Sequence, residues 1–187
     1  MKKEVNKIGE MENYFLYFIL YCFIGWLYEV VIEYFELHHG FVNRGFLHGP
    51  YLPVYGFGVV FLILLLTTLK KKKVKLFNID ITVIAIFSLV ILITGLLEYT
   101  TSYVMELLFH NRWWDYSNEL FNINGRVCLK ASLRFGLGGT FFLYVTQPIF
   151  EKMISKLNFN TKTLISSVLI VILICDLTST LTSLIVN

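Results

Sequence analysis

Five apolar runs, each close to the roughly 20 residues that a helix needs to cross a bilayer, decide what this chain can fold into. They are Tyr14–Phe35, Tyr51–Leu69, Ile79–Tyr99, Val127–Thr146 and Thr163–Val186. Together they take up most of the 187 residues, and what remains is too short for a soluble domain. With 56% hydrophobic and only 16% charged residues, and a mean hydropathy of +0.67, the chain has too little polar surface to meet water all round. Backbone N–H and C=O groups in hydrocarbon must bond within their own segment, which helices achieve. The expected fold is therefore all-α: a polytopic membrane protein of five transmembrane helices, forming a single membrane domain over residues 1–187 without a linker or low-complexity tract.

Charge placement orients the helices. Lys2, Lys3 and Lys7 precede the first run, Lys70, Lys71, Lys72, Lys73 and Lys75 separate the second from the third, and Lys152, Lys156 and Lys162 separate the fourth from the fifth. These are eleven of 16 basic residues, and cations of short loops stay in the cytoplasm. The N-terminus is expected inside and the C-terminus outside, in the plasma membrane. No small-residue cleavage site follows Leu20–Leu27, and the run continues through aromatic residues into Glu29, so the first span is expected to be retained. Cys22, Cys128 and Cys175 lack metal-ligand spacing and read as packing residues.

Ionisable residues inside these runs need partners, because one at the centre of a span costs at least about 2.5 kcal/mol. Spacings of four and three put Glu29, Glu33 and Glu36 on one face of the first span. Glu98 and Glu106 follow toward the outer end of the third. Arg126, Lys130 and Arg134 recur every four residues, which predicts one cationic face on the fourth helix. Anions of two helices are thus expected to meet cations of a third at similar depth, in an outward-facing polar cavity or ion-pair network. Ser132, Gly136 and Thr140 form a small-residue face that lets another helix approach closely. Asp176, in the middle of the fifth span, finds in Arg134 a cation of suitable depth.

Two non-helical segments are expected on the outer side. The segment Gly40–Gly58 carries five glycines and two prolines around Arg44, and backbone of this kind at membrane depth has to be buried in protein or line a cavity. Its free N–H groups, with Arg44, offer a cradle for an anion. The other segment, Phe109–Ser117, sets Trp113, Trp114 and Tyr116 among Arg112, Asp115 and Ser117. Its rings suit an interfacial aromatic belt, and the same mixture of rings and charges suits a sugar, headgroup or cation site.

The blocks Phe23–Glu29 (FIGWLYE), Phe41–Pro50 (FVNRGFLHGP), Pro53–Gly58 (PVYGFG), Leu97–Ser102 (LEYTTS) with Met105-Glu106, Arg112–Ser117 (RWWDYS) and Asn124–Leu129 (NGRVCL) occur together. In these the chain resembles a family of small bacterial membrane proteins, the CmpB-like ABC-transporter type IV family, over about Tyr14 to Phe150. The resemblance implies a multispan membrane protein associated with transport, and no catalytic residue to carry over. No G-x-x-x-x-G-K-[ST] loop occurs, so a nucleotide-hydrolysing subunit has to be a separate chain. A single copy of five spans also implies a homodimer or a partner permease if it forms a pathway.

The candidate site is Arg44, Glu29, Glu33, Glu98, Glu106, Arg112, Trp113, Asp115, Arg126, Lys130 and Arg134. Its expected ligand is a small polar or anionic solute or a lipid headgroup, held by arginines that the glutamates orient. Two alternatives are a membrane-embedded enzyme acting on lipid-linked substrates, with Asp115 or Glu106 as base, and a non-catalytic assembly or regulatory subunit. No hydrolase elbow or zinc-protease motif is present, adjacent His38 and His39 do not readily converge on one ion, and the short lysine run flanks a span. Hence no cofactor, no metal and no nucleic-acid partner are expected.

Overall fold

The computed structural model describes residues 2–36, 41–43, 45–112 and 114–186. Helix accounts for 76% of it. The order is α1 (Lys2–Glu36), α2 (Pro53–Lys72), a hairpin of β1 (Lys75–Leu76) and β2 (Ile79–Asp80), α3 (Thr82–Phe109), α4 (Leu129–Phe141), a π-helical turn (Phe142–Thr146), α5 (Gln147–Ser155) and α6 (Phe159–Val186). Among the described residues, four helical stretches are long and apolar enough to cross a membrane: Ile8–Phe35, Pro53–Lys72, Thr82–Phe109 and Phe159–Ser183. They correspond to four of the five expected runs. The run Val127–Thr146 is instead, from Leu129 onward, part of the continuous α4–π–α5 helix.

The chain divides into two compact units, Met1–Val60 with Ile149–Asn187, and Phe61–Pro148. In the first, α1 packs on α6. Lys162 donates to Asn13 (2.8 Å) and the Thr163 hydroxyl to Glu12 (2.7 Å), so the start of α6 lies beside residues 12 and 13 of α1. Farther along both helices the segment before α2 joins them: Leu52 N–H donates to the Cys22 carbonyl at 2.9 Å, while Tyr51 donates to Asp176. The two helices therefore run in the same direction. Gly25 lies under the Tyr55 ring, and a Cβ at Gly56 would strike Cys22 and Phe18. Absence of side chains at these two positions is what lets α1 and the start of α2 touch.

In the second unit α3 and α4 pack antiparallel, since Arg126 reaches Ser102 whereas Gly136 lies against Phe87 and Ile91. Ile86 and Val90 are wholly buried, with Leu62, Ile63 and Leu66 of α2. The small-residue face of α4 serves as expected at Ser132 and Gly136, which are buried. It continues through Gly139, against Val90 and Leu62, where the spacing pointed to Thr140.

The π turn has a local cause. Pro148 has no N–H to give and its ring crowds the preceding turn, and Gln147 N–H bonds the Phe142 carbonyl, five residues back. This frees the Leu143 carbonyl, which accepts from Lys70 Nζ at 2.7 Å, with the ammonium 4.7 Å from the Tyr144 ring centroid. At the other end of α2 to α3, Phe77 and Asn78 both take positive φ (46° and 64°) to close the hairpin. Ile79 thus belongs to a strand rather than to the third span, and α3 starts at Thr82. Asp80 stops the strand by accepting the Thr82 hydroxyl (2.5 Å) and N–H (3.0 Å), and these bonds hold its carboxyl below the usual range.

Candidate functional site

The C-terminal half of α3 carries Glu98, Ser102 and Glu106 about one turn apart on a single face. Opposite them folds the connection from His110 to Cys128, closed by a bridge between Ile123 and Val127. Gly125 takes a φ of 67° at its tip, and a Cβ there would strike Ser117 and Asp115. Tyr116 N–H donates to the Gly125 carbonyl (2.7 Å) and Gly125 N–H to Asn122 (3.1 Å), so the segment satisfies its own backbone while projecting side chains toward α3.

Those side chains build an ion-pair cluster on Glu106. Arg126 donates through Nη2 to Glu106 Oε2 and through Nη1 to Ser102 (3.2 Å), with its guanidinium 5.3 Å from the Tyr103 centroid and 5.8 Å from that of Tyr99. Arg112 donates through Nε to Glu106 Oε1 (3.1 Å) and through Nη1 to the Asn124 carbonyl (3.2 Å). One carboxylate thus holds two guanidinium groups in fixed planes. They differ in access: the Arg126 side chain is 9% exposed and that of Arg112 33%. Around them Trp114 donates to the Arg126 carbonyl (3.0 Å), Asn124 to Tyr99 (2.9 Å) and Tyr116 to Glu98 Oε1 (3.0 Å). Glu98 Oε2 is buried without a hydrogen-bond partner among the described residues.

Several expected partnerships come out differently. Arg126 does not extend a cationic face of the fourth helix, because α4 begins only at Leu129, with the Cys128 sulfur accepting from Ala131 N–H. Lys130 pairs with Glu119 (3.4 Å) at an exposed position rather than with a carboxylate of another span. Asp115 is turned to its own loop, where Oδ1 accepts the Ser117 hydroxyl (2.5 Å) and N–H (2.9 Å); these bonds hold its carboxyl below the usual range. Both Glu106 oxygens are engaged by arginines, whereas the bonds of Asp115 fall on Oδ1 alone. Arg134 is exposed on α4. Glu29, which accepts from the Tyr55 hydroxyl, and the buried Glu33 belong to the first unit, whereas the other described candidates belong to the second. Arg44 and Trp113 lie outside the described residues.

Asp176 meets a different partner from the Arg134 that depth suggested. It accepts from His48 N–H (3.1 Å), Gly49 N–H (2.9 Å) and the Tyr51 hydroxyl, with His48 Nδ1 at 2.9 Å. The N–H groups that sequence offered to an external anion are thus taken by an internal one. Leu52 lies beside Cys22, 14 residues before the end of α1, or about 21 Å at ~1.5 Å per residue. The chain at Leu52 therefore lies alongside α1 before α2 begins, and Asp176 satisfies the His48 and Gly49 N–H groups, as backbone away from water requires. Sequence reasoning also passed over Ser102, Tyr99 and Asn124 as site residues. Only Ser102 carried a usable signal, midway between two glutamates on one helical face.

Among curated proteins and solved structures nothing matches the chain. The family described as "Putative ABC-transporter type IV" matches residues 16–181. That match extends beyond the blocks that suggested the resemblance, into α6 and past Asp176, and with apolar helices of membrane-crossing length it places this chain in the CmpB-type ABC-transporter type IV family of membrane proteins.

Proposed function

We propose that the protein is a five-span subunit of a transport system in the plasma membrane, with its N-terminus inside and its C-terminus outside. The parallel course of α1 and α6 supports the fifth crossing. With only four crossings α6 would start on the side where α1 ends and run antiparallel to it; a crossing by Leu129–Ser155 brings it back to the starting side. That helix, about 40 Å long at ~1.5 Å per residue, is sufficient for the purpose.

The outward-facing site takes a small polar or anionic solute, or a lipid headgroup. One observation carries this reading: Glu106 fixes two arginines, yet the Nη2 edge of Arg112 carries no hydrogen bond among the described residues and the side chain is one-third exposed. Arg126 is the positioning partner and Arg112 the group that meets the ligand's anionic oxygen. The buried Glu98 Oε2, which has no hydrogen-bond partner among the described residues, is an acceptor in reserve beside the cluster. A separate ATPase subunit supplies the energy, and a second copy or a partner permease completes the pathway.

The test is a deletion in the native host, complemented with variants whose membrane abundance is measured alongside cellular solute and lipid content. Arg112→Gln at normal abundance is expected to leave the deletion profile unrestored, with Arg112→Lys partly restoring it because the charge remains. Full restoration by Arg112→Gln removes Arg112 from the site.

A further inference from the structure

Asp176 and His48 form a second constellation, in the first unit, that the ion-pair cluster does not use. Its protonation follows from geometry. An aspartate that accepts from two backbone N–H groups and a tyrosine hydroxyl offers lone pairs at both oxygens. His48 Nδ1 lies 2.9 Å from one of them, a contact that is attractive only if Nδ1 carries a hydrogen. Thr180 Oγ1 is also near, 3.0 Å from Nδ1 and 3.5 Å from Asp176 Oδ1. A hydroxyl can turn its hydrogen toward the carboxylate, whereas the carboxylate has none to offer. The neutral imidazole is therefore the Nδ1–H tautomer, and its lone pair sits on Nε2.

That atom is open. Nε2 makes no hydrogen bond among the described residues, and the His48 side chain is 63% exposed, against 11% for Asp176. The imidazole body is nevertheless held, because the His48 backbone is tied from both sides: its N–H donates to Asp176, and its carbonyl accepts from Asn43 Nδ2 (2.8 Å), while Asn43 Oδ1 accepts from Trp26 (2.7 Å). A part-buried acid orients an imidazole whose far nitrogen is exposed with a fixed lone pair.

We propose that the His48–Asp176 pair is a proton-transfer dyad, in which His48 Nε2 is the atom that takes up and returns a proton and Asp176 is the positioning residue. The ligand is a proton delivered by water or by a donor group of a solute. On uptake the Nε2–H bond forms and the imidazolium charge is met by the Asp176 carboxylate; on release the same bond breaks and the Nδ1–H tautomer is restored. The titratable groups that contact the dyad among the described residues are Asp176 itself and Tyr51, which reaches the opposite carboxylate oxygen. This proposal does not depend on the solute reading of the Glu106 cluster.

Nitrogen NMR of the full-length protein labelled with 15N-histidine, in detergent micelles, tests it, with His48→Gln assigning the resonances. The expected spectrum at alkaline pH has the His48 proton on Nδ1, and acidification adds the second proton at Nε2. Thr180→Val should leave the tautomer unchanged, while Asp176→Asn in folded protein should lose the Nδ1–H preference. A neutral form with its proton on Nε2 overturns the proposal, as does an Nε2 that stays unprotonated down to acid unfolding. Should Asp176→Asn fail to fold, the wild-type and Thr180→Val spectra still decide between carboxylate and hydroxyl as the partner of Nδ1.

Discussion

Arg126 and Arg112 share one carboxylate but have opposite duties, and burial separates them. Arg126 also fills Ser102 and lies against two tyrosine rings, so its removal leaves Ser102 and one Glu106 oxygen without a donor. Arg126→Met is expected to cost about 2–3 kcal/mol, less than breaking a fully buried pair because Glu106 retains Arg112. Thermal denaturation in detergent measures it. Arg112 is one-third exposed, and its replacement by Gln should change stability by only about 0–1 kcal/mol. A loss at Arg112 as large as that at Arg126 would make both residues scaffold. The acidic members of the cluster were legible from sequence because glutamates in an apolar run demand partners. Arg126 and Arg112 were in the candidate set too, and Glu106 does meet Arg126, but that Arg126 reaches it from a connection was not legible, because it lies just outside a helix that periodicity extends through it.

Helices α3 and α4 meet at glycine, and the contact is specific to one face. At Gly139 a Cβ would press on Val90 and Leu62, whereas at Gly138 it would meet nothing within 4 Å. Gly139→Val is therefore expected to lose about 1–3 kcal/mol through overpacking, and Gly138→Val to be tolerated, as read from detergent melting and membrane abundance. Equal losses at both positions would show that chain stiffness, rather than close approach, sets the requirement. The four-residue spacing of Ser132 and Gly136 revealed this face in the sequence. Its continuation through Gly139 depends on which neighbouring side chains arrive, and these come from two other helices.

Topology is the property of the whole molecule on which the functional reading rests. In a cysteine-free background, single cysteines at Lys72 and Asn158 should be protected from an impermeant label in intact cells, and one at Asn118 should react. Asn158 is the decisive position, since a four-crossing chain would expose it with Asn118. The number, length and apolar character of the runs, the lysine bias and the need of each intramembrane acid for a partner all follow from composition and order along the chain. They are local quantities, and hydrocarbon enforces them segment by segment. Which partner each acid found was decided only in three dimensions. Asp176 took loop backbone and His48 in place of Arg134, Lys130 took Glu119, and Glu106 took two arginines from a connection without regular structure. Helical periodicity sets direction and depth within a helix but says nothing of where a glycine-rich segment turns back. The path of those two segments selected the pairs.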